Sequence, residues 1–521
     1  MISAIAHLLR LSRAGFVLAR SGVFAAVDPV MLPPPGKLAL RLARLIERPT
    51  TNTSHRLSAA LTALGPTYVK LGQFLATRPD VVGVALARDL ESLQDKMKPF
   101  PQAEAEHVIA QALGKPVGEL FTSFGPPVAA ASIAQVHRAT LTDGRVVAVK
   151  VLRPNIEGRF KSDLESFFFA ARNAEDISAE ARRLRLTEVV DTLARSVAIE
   201  MDLRLEAAAL SEMAENTKDD PDFRVPTVDW NLTARDVLTL EWIHGTPLSD
   251  RAALLAKGFD LPPLGRAVIQ SFLRHALRDG FFHADMHPGN LFVDEHGKLI
   301  AVDFGIMGRL GPKERRFLGE ILYGFITRDY HRTAQVHFDA GYVPPQHSVE
   351  AFAQAIRAIG EPIHNRPADE ISMAKLLTLL FEVTAIFDMR TRPELVLLQK
   401  TMVVVEGVAR MLDPKLDMWK TAEPVVSEWI AGSLGPIGRL EDVAGSAAEV
   451  GKFVGTVPSL LTRAGRIAEQ LDIATRDGIV LAPETVAAIG KAEARRNRWG
   501  ATALWVIAVL LAVIIYLTLA H

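Results

Sequence analysis

The sequence predicts an α+β protein that has two lobes, with a helical extension before them and a transmembrane helix after them. The sequence changes character near Phe121, and strand-forming runs at 136–139 and 146–151 on either side of a turn at 142–144 predict a β-hairpin. A short strand follows at 237–242, and helical patterns dominate after about residue 261. The last stretch of the chain is uncharged and apolar. The predicted parts are an N-terminal helical extension (1–115), a small lobe (116–243), a helical lobe (244–430), a helical linker (431–498) and the transmembrane helix (499–519).

Composition excludes several classes of function. The chain has 521 residues, of which 49% are hydrophobic, so it can bury a large core and form more than one domain. Its 59 basic and 60 acidic residues nearly balance, which gives no reason to expect a nucleic-acid partner. It contains no cysteine, and disulfides, thiolate metal sites and cysteine nucleophiles are therefore excluded.

An uncharged apolar segment occupies 499–519. At about 1.5 Å per residue a helix of this length spans roughly 31 Å, close to the thickness of the hydrocarbon core of a bilayer. Basic residues precede it at Lys491, Arg495, Arg496 and Arg498. Because positive residues tend to remain on the cytoplasmic side, we interpret the segment as a single-pass tail anchor with the preceding chain in the cytoplasm. A buried core helix is the alternative.

The N-terminal stretch mixes apolar residues with Arg10, Arg13 and Arg20. The arginines prevent a continuous apolar run, so a cleaved signal peptide is not predicted. Two interpretations of this stretch are open. It is either a helix that lies on a membrane surface or an ordinary helix that packs on the rest of the protein.

The strongest functional signal is the run H-A-D-M-H-P-G-N at 283–290, followed by D-F-G at 303–305. Phosphoryl transfer needs a carboxylate that orients or deprotonates the acceptor, and oxygen ligands for magnesium ions. Asp285 lies five residues before Asn290, which is the spacing of base and metal-binding amide in the catalytic loop of protein kinases. Asp303 follows an apolar strand and takes the place of the second metal ligand. These residues predict a kinase-like site that uses ATP and Mg²⁺.

Upstream, the run V-A-V-K ends at Lys150 and has the form of the strand whose lysine contacts the α- and β-phosphates in kinases. A strand lysine is more often an exposed residue, but apolar neighbours on both sides favour the functional interpretation. Such a lysine needs a glutamate from a helix as its partner. Glu200 and Glu206 are both available, and we favour Glu206.

The residues L-T-L-E-W-I-H-G at 238–245 are typical of the strand and hinge between two lobes. We expect the backbone C=O of Glu241 and the backbone N–H of Ile243 to meet the edge of the adenine. This prediction depends on position in the chain, because side chains matter little at a hinge.

A glycine-rich phosphate loop is missing before the lysine strand. Ala129, Ala130, Ala131 and Ser132 stand in its place. Glycines allow a loop to adopt positive φ and bring its N–H groups close to phosphates, whereas alanines restrict the backbone and add Cβ atoms. We therefore expect these residues to position the phosphates differently from an ordinary protein kinase.

Taken together, these motifs resemble those of the UbiB/AarF family of atypical protein-kinase-like proteins. The resemblance extends from about residue 55 to 415. It is carried by K-L-G-Q from Lys70 to Gln73, the alanine loop, E-M-D from Glu200 to Asp202, and the two kinase-like motifs. The resemblance implies that the extension bearing Lys70 and Gln73 folds over the site, with Lys70 facing Glu200 and Asp202 while Lys150 pairs with Glu206.

The resemblance also implies a function. Members of this family look like ATPases, or kinases of small or lipid substrates, that support ubiquinone biosynthesis. The implied partners are membrane lipids and the intermediates or enzymes of quinone biosynthesis, and a homo-oligomer is compatible with them. The implied location is the inner membrane of a bacterium.

Two other functions compete with this interpretation. Small-molecule kinases of the aminoglycoside-phosphotransferase type share the catalytic-loop motif, but the Lys70 motif, the alanine loop and the anchor argue against them. The second alternative is a lipid-binding scaffold that is switched by nucleotide occupancy and needs no catalysis. A loss of catalysis is not expected, because the chain keeps the four predicted catalytic and metal-binding residues, Lys150, Asp285, Asn290 and Asp303.

Overall fold

The structure is a computed structural model in which residues 1–433 form one compact unit. The residues that it describes are 2–23, 41, 44–47, 56–76, 82, 86, 89–90, 93, 97–177, 179–363, 382–384, 386–389 and 393–434.

Among its described residues, the N-terminal extension has the helices α1 (Ile2–Arg20), α2 (Arg56–Leu64) and α3 (Pro66–Ala76). The α3 helix carries the K-L-G-Q motif, and Lys70 and Gly72 lie on its buried face. A Cβ atom at Gly72 would clash with the side chains of Leu61 and Leu93. The glycine of the motif is therefore explained by the close packing of α3 on its neighbours.

The α1 helix packs against the rest of the protein. His7 Nδ1 lies 3.1 Å from Ser166 Oγ, and Arg10 donates a hydrogen bond of 3.1 Å to the carbonyl oxygen of Ser162. One side of α1 therefore packs on the protein, as the packing interpretation predicts. The opposite side of α1 still exposes apolar side chains, namely Leu8 (53%), Leu9 (68%) and Phe16 (49%).

The small lobe is an antiparallel sheet with the strand order β1-β2-β3-β5. Its strands are β1 (Phe121–Ala130), β2 (Ala134–Leu141), β3 (Val146–Leu152) and β5 (Val237–Glu241), and the helices α4 (Gln102–Leu113) and α5 (Val117–Leu120) precede them. Alternate residues of β3 point into a core that includes Ile109 of α4. Lys150 therefore points to the other face of the sheet.

The hairpin β2–β3 follows the turn predicted from the sequence, whereas β1 was not predicted. Pro126 and Pro127 interrupt its strand pattern. The pairing of β1 with β2 shifts register around these prolines, and β1 is an edge strand, which is where a sheet tolerates proline.

Helices occupy the chain between β3 and β5 of the small-lobe sheet. They are α6 (Ile156–Ile177), α7 (Ala179–Leu184), α8 (Leu186–Glu200) and α9 (Leu203–Asn216). The α9 helix begins after Asp202, whose side chain accepts a hydrogen bond from the backbone N–H of Arg204. Glu206 lies in the first turn of α9 and is buried.

The helical lobe contains two small sheets and a bundle of helices. Its strands are β4 (Phe223–Arg224), β6 (Thr246–Pro247), β7 (Phe281–His283), β8 (Leu291–Val293), β9 (Leu299–Ala301) and β10 (Met307–Arg309). Its helices are α10 (Arg251–Ala256), α11 (Leu261–Arg274), α12 (Pro312–Thr327), α13 (Tyr330–Asp339), α14 (Val349–Gly360), α15 (Pro393–Leu412) and α16 (Met418–Leu434). The order β4-β9-β8-β6 and the pair β7–β10 bring the two predicted catalytic motifs to the same end of the lobe.

The α+β class and the two-lobed arrangement are confirmed. Among the helices that the structure describes, none is long and apolar enough to cross a bilayer. The predicted transmembrane helix at 499–519 lies outside the described residues, as does the predicted linker beyond residue 434.

Candidate active site

Lys150 is the charged centre of the site. Its Nζ atom donates to both carboxylate oxygens of Glu206, at 2.8 and 2.9 Å, and to Oδ1 of Asp303 at 2.9 Å. The strand β3, the helix α9 and the segment after β9 each supply one of these residues. The three side chains thus meet in the structure, although Lys150 and Asp303 are separated by 153 residues in the sequence. Glu200, the other candidate partner of Lys150, lies at the end of α8 and binds Lys70 instead.

Lys150 and Asp303 stabilise each other's charge, whereas burial raises the pKa of Glu206. Burial alone would lower the pKa of Lys150, but the carboxylates of Asp303 and Glu206 raise it above its usual value. The Lys150 ammonium lowers the pKa of Asp303 and outweighs the opposing effect of burial. Both groups are therefore charged at neutral pH, as a phosphate-binding lysine and a metal-binding carboxylate need to be.

The catalytic loop runs between β7 and β8, and His283 shapes its start. The Nδ1 atom of His283 accepts a hydrogen bond of 3.0 Å from the backbone N–H of Asp285, and its Nε2 atom lies 3.1 Å from the carbonyl oxygen of Val302. Burial lowers the pKa of His283, so the imidazole is neutral and donates from Nε2. Both ring nitrogens of His283 are engaged in these hydrogen bonds, so His283 supports the loop and does not offer a nitrogen to a metal ion.

Asn290 closes the same loop. Its Nδ2 atom donates a hydrogen bond of 3.0 Å to the backbone carbonyl oxygen of Asp285. Thr401 of α15 donates a hydrogen bond of 3.1 Å to the carbonyl oxygen of Ala284 and anchors the loop from the other side. The side chain of Asp285 itself is about 40% exposed, with Nε2 of His287 at 4.0 Å. Asp285 is thus open to a substrate while the backbone that carries it is fixed.

Asp303 adopts a backbone conformation that is rare for a residue with a side chain. Its φ angle is +61°, in the left-handed region, and its side chain is 47% exposed. The backbone N–H of Val302 donates a hydrogen bond of 2.9 Å to the carbonyl oxygen of Asn290, and the buried ring of Phe304 packs 4.9 Å from that of His283. These contacts hold the strained residue in place, and such strain is found most often at functional sites.

The donor set at this end of the lobe fits a magnesium ion. Asp303 offers carboxylate oxygens and Asn290 offers an amide oxygen, which are the hard ligands that Mg²⁺ prefers. Within the described part of the chain, no three His, Cys, Asp or Glu side chains form a metal-binding group. In nucleotide sites, phosphates and water usually complete the coordination of Mg²⁺.

The alanine loop is shorter than the sequence suggested. Ala129 and Ala130 belong to β1 and pair with Val136 and Gln135 of β2. Only the turn that begins at Ala131 is a loop, and the backbone N–H of Ala131 donates a hydrogen bond of 2.8 Å to the carbonyl oxygen of Ala134. The small side chains allow β1 to continue to the tip of the hairpin.

The expected hinge lies at the end of β5. The backbone N–H groups of Glu241 and Trp242 donate to the carbonyl oxygens of Thr227 and Val146. The Glu241 side chain accepts a hydrogen bond of 3.0 Å from Arg224 and is therefore turned towards the segment after β4. The contacts of Glu241 and Ile243 with adenine remain a prediction.

The extension is fastened to the site by one largely buried ion pair. Lys70 Nζ lies 2.5 Å from Glu200 Oε2, and both side chains are only about a tenth exposed. The lowered pKa of Asp303 is due first to Lys150, and the charge of Lys70 acts in the same direction. Asp202 is engaged with Arg204 at 2.7 Å, and Gln73 lies three residues after Lys70 on α3.

Sequence reasoning missed two residues that shape the site. Thr401 anchors the catalytic loop from more than 100 residues away, and nothing in its neighbourhood marks it. Arg153 binds the alanine loop, and its place three residues after Lys150 was a signal that could have been used.

A small antiparallel sheet carrying a lysine–glutamate pair, set against a helical lobe with an Asp–Asn catalytic loop, defines the class of protein-kinase-like folds. Comparison with known proteins agrees. The family model of the ABC1 atypical kinase-like domain matches residues 92–337, and the model of the UbiB helical domain matches residues 356–417.

Similar proteins cover most of the chain. A protein of Marinobacter nauticus named "Probable protein kinase UbiB" is 41% identical over 444 residues, which are 84% of this chain and 81% of the relative. A protein of Azotobacter vinelandii with the same name is 41% identical over 395 residues, 75% and 74% of the two chains. The solved complex of Rv3197 with erythromycin from Mycobacterium tuberculosis is 26% identical, with a TM-score of 0.51, and the match covers 68% of this chain and 90% of that one. The chain belongs to the UbiB family of ABC1 atypical kinase-like proteins, which confirms the resemblance carried by its motifs.

Proposed function

We propose that this protein is an atypical kinase or ATPase that binds Mg-ATP between its lobes and supports ubiquinone biosynthesis at a bacterial inner membrane. The observation that carries the proposal is the meeting of Lys150, Glu206 and Asp303 beside the catalytic loop. The names of the relatives point to the same activity, since both are called probable protein kinases.

Each residue of the site has a role in this proposal. Asp303 and Asn290 hold magnesium, which supplies positive charge to the phosphate oxygens when it is bound. Lys150 contacts the α- and β-phosphates, and Glu206 keeps its ammonium group aimed at them. Asp285 orients the acceptor hydroxyl or water and takes its proton as the acceptor oxygen bonds to the γ-phosphorus. The bond from the γ-phosphorus to the β–γ bridging oxygen breaks, and ADP leaves.

The nucleotide also meets the small lobe. Ala129, Ala130, Ala131 and Ser132 face the phosphates, and the backbone of Glu241 and Ile243 binds the adenine. The backbone of the alanine turn is less free than that of a glycine loop, so we expect its contact with the phosphates to be more selective.

The extension restricts the choice of acceptor. Lys70 and Gln73 on α3, held by Glu200 near Asp202, occupy the side of the site where a protein substrate would have to approach. The ion pair at 2.5 Å and the low exposure of both partners support this role. The favoured acceptors are water, a small molecule or the head group of a lipid-borne intermediate.

Membrane residence forms part of the proposal. The apolar segment at 499–519 would anchor the chain once, with the catalytic domain in the cytoplasm. The exposed Leu8, Leu9 and Phe16 of α1 offer a second apolar surface beside arginines, which suits an anionic membrane. Quinone intermediates with long isoprenoid tails, or the enzymes that process them, are the proposed partners.

The experiment is a measurement of ATP hydrolysis by the full-length protein in detergent. It compares activity alone, with vesicles containing anionic lipid, and with soluble mimics of quinone precursors. Asp285→Asn is measured beside it, with Glu295→Gln as the matched control because Glu295 is an exposed carboxylate near the same loop. We expect Asp285→Asn to lose about 10²-fold to 10⁴-fold in kcat, and the control to keep its activity.

The outcomes separate the competing functions. Stimulation by lipid or by precursor mimics supports the proposal. Tight nucleotide binding with no turnover under any condition would favour a nucleotide-switched scaffold. Phosphorylation of an aminoglycoside, added as a further arm of the assay, would indicate a small-molecule kinase instead.

A further inference from the structure

Arg153 follows β3 and connects two segments that are distant in the sequence. Its Nε and Nη2 atoms donate to the carbonyl oxygen of Ala131, at 3.0 and 2.8 Å. Its Nη2 atom also donates to the carbonyl oxygen of Lys98, at 2.9 Å. The guanidinium lies over the ring of Phe100, 5.5 Å from the ring centre. One side chain therefore binds both the alanine loop and the segment 97–100, which belongs to the N-terminal extension and lies between α3 and α4.

Other contacts join the same two segments. The backbone N–H of Met97 donates a hydrogen bond of 3.0 Å to the carbonyl oxygen of Ala130. The side chain of Gln135 accepts from the backbone N–H of Phe100 at 2.9 Å and donates to its carbonyl oxygen at 3.3 Å. Segment 97–100 is thus held against the tip of the β1–β2 hairpin along its length.

The geometry suits arginine and no other residue type. A guanidinium presents several N–H donors in one plane, so it can bind two carbonyl oxygens and stack on a ring at the same time. A lysine ammonium carries a similar charge but lacks the planar fork. The backbone N–H of Arg153 also donates a hydrogen bond of 2.8 Å to the carbonyl oxygen of Ile133, which fixes the residue beside the loop.

We propose that Arg153 is a positioning residue, which fixes the alanine loop for the nucleotide phosphates and transmits nucleotide binding to segment 97–100. The inference rests on the proposed function, since it assigns the alanine loop to the phosphates. It adds a mechanical connection between the two segments. Because Arg153 binds both of them, a shift of the alanine loop on phosphate binding moves segment 97–100 as well. That segment is part of the same N-terminal extension whose α3 helix carries the Lys70–Glu200 ion pair.

The test compares Arg153→Ala and Arg153→Lys with Arg145→Ala. Arg145 is a matched control because it is another hydrogen-bonded arginine of the small lobe, but it binds the carboxylates of Asp143 and Asp229 at the opposite end of the β2–β3 hairpin. The measurements are KM and kcat for Mg-ATP, thermal stability, and hydrogen exchange of the Met97 amide. The exchange is measured with and without a non-hydrolysable ATP analogue.

We expect Arg153→Ala to raise KM by about tenfold, which corresponds to about 1.4 kcal/mol, with a smaller change in kcat. The Met97 amide should exchange faster in this variant, and the analogue should no longer protect it. Arg153→Lys keeps the charge and the aliphatic stem, so it should fold even if the alanine variant does not, and it should lie between wild type and Arg153→Ala.

The inference is overturned if KM and Met97 exchange in both Arg153 variants match those of Arg145→Ala. A fall in thermal stability with unchanged KM would also overturn it, because Arg153 would then be only structural. A wild-type protein that binds no nucleotide would overturn the proposed function instead. In that case the Met97 exchange rate alone would still decide whether Arg153 joins the loop to the segment.

Discussion

Asp220 shows how a single buried residue supports the helical lobe away from the predicted chemistry. Its carboxylate lies 2.6 Å from Nη1 of Arg278 and 3.2 Å from Nε2 of His275, and only about 3% of its side chain is exposed. His275 and Arg278 belong to a π-helical turn at His275–Asp279, directly before β7. The cluster therefore supports the strand that leads into the catalytic loop.

The sequence revealed residues with local patterns and missed those with distant partners. Asp285, Asn290 and Asp303 were predictable because their spacing along the chain is itself the signal. Asp220 was not, because its partners lie more than 50 residues away and no periodicity connects them. A buried ionic cluster becomes visible only when the fold has brought its members together.

Acid should weaken the Asp220 cluster. Burial would raise the pKa of Asp220, but His275 and Arg278 lower it below its usual range. A carboxyl with a lowered folded-state pKa stabilises the protein above its unfolded pKa of about 3.9, and this contribution is lost as the pH falls below that value. Burial also lowers the pKa of His275, so its protonation below about pH 6.5 favours unfolding as well.

We therefore expect Asp220→Asn to lower the free energy of unfolding at pH 7 by about 3 kcal/mol, since it removes one partner of a buried ion pair. The wild type should lose stability more steeply than this variant between pH 4 and pH 2. Chemical denaturation across this pH range measures both effects. Asp219→Asn is the control, because Asp219 is the exposed neighbour of Asp220. If the free energy of unfolding changed with pH in the same way for wild type and Asp220→Asn, the assignment of this acid sensitivity to Asp220 would be contradicted.

At the scale of elements, regular patterns were predictable and exceptions were not. The β2–β3 hairpin was predicted from its turn and its alternating residues. The β1 strand was missed because two prolines break its pattern, although an edge strand tolerates them. The π-helical turn after α11 could not be predicted either, since its sequence continues the helical pattern of α11 without a break.

Ala131 is the element-scale test of the alanine loop. Glycine at this position increases the conformational freedom of the backbone, and ordering it costs about 0.5–1 kcal/mol more than ordering alanine. This difference corresponds to roughly a twofold to fivefold change in nucleotide affinity. We expect Ala131→Gly to change the ratio of ATP affinity to ADP affinity by that amount, or to raise autophosphorylation. Calorimetry and phosphate incorporation measure the two effects. Ala234→Gly, in another turn of the small lobe, is the control, and equal behaviour of the two variants would count against a role for the loop.

At the scale of the whole molecule, the order of the parts was predictable and their packing was not. The motifs place extension, small lobe and helical lobe in sequence, and the structure confirms the two lobes. The sequence did not show that α1 would pack on α6 through one side and leave Leu8, Leu9 and Phe16 exposed. Apolar residues around all sides of a short helix are compatible with either a membrane surface or a protein surface.

Anchoring is the whole-molecule prediction. A tail anchor raises the local concentration of lipid-borne substrates without adding contacts in the site. Deleting 499–521 should therefore release a protein that still binds and hydrolyses ATP. In cells lacking the native protein, this truncation should restore quinone content poorly at native expression and better when overproduced.

The α1 surface provides the control for this prediction. Leu8→Ser with Leu9→Ser removes exposed apolar side chains without touching the packed side of α1. Cell fractionation and quinone content are measured for the truncation, the double substitution and their combination. Full quinone content from a combined variant that is wholly soluble at native levels would show that membrane residence is dispensable.

The central claim is that Asp303 holds the magnesium of a bound nucleotide beside Lys150. The most direct measurement is Mg²⁺-dependent ATP binding and turnover by wild type and Asp303→Asn, with circular dichroism to verify the fold. We expect the variant to remain folded, because Asp303 lies in a half-exposed polar site, and to lose both turnover and the Mg²⁺-dependent part of ATP affinity. Turnover near the wild-type rate in Asp303→Asn would contradict the kinase-like mechanism.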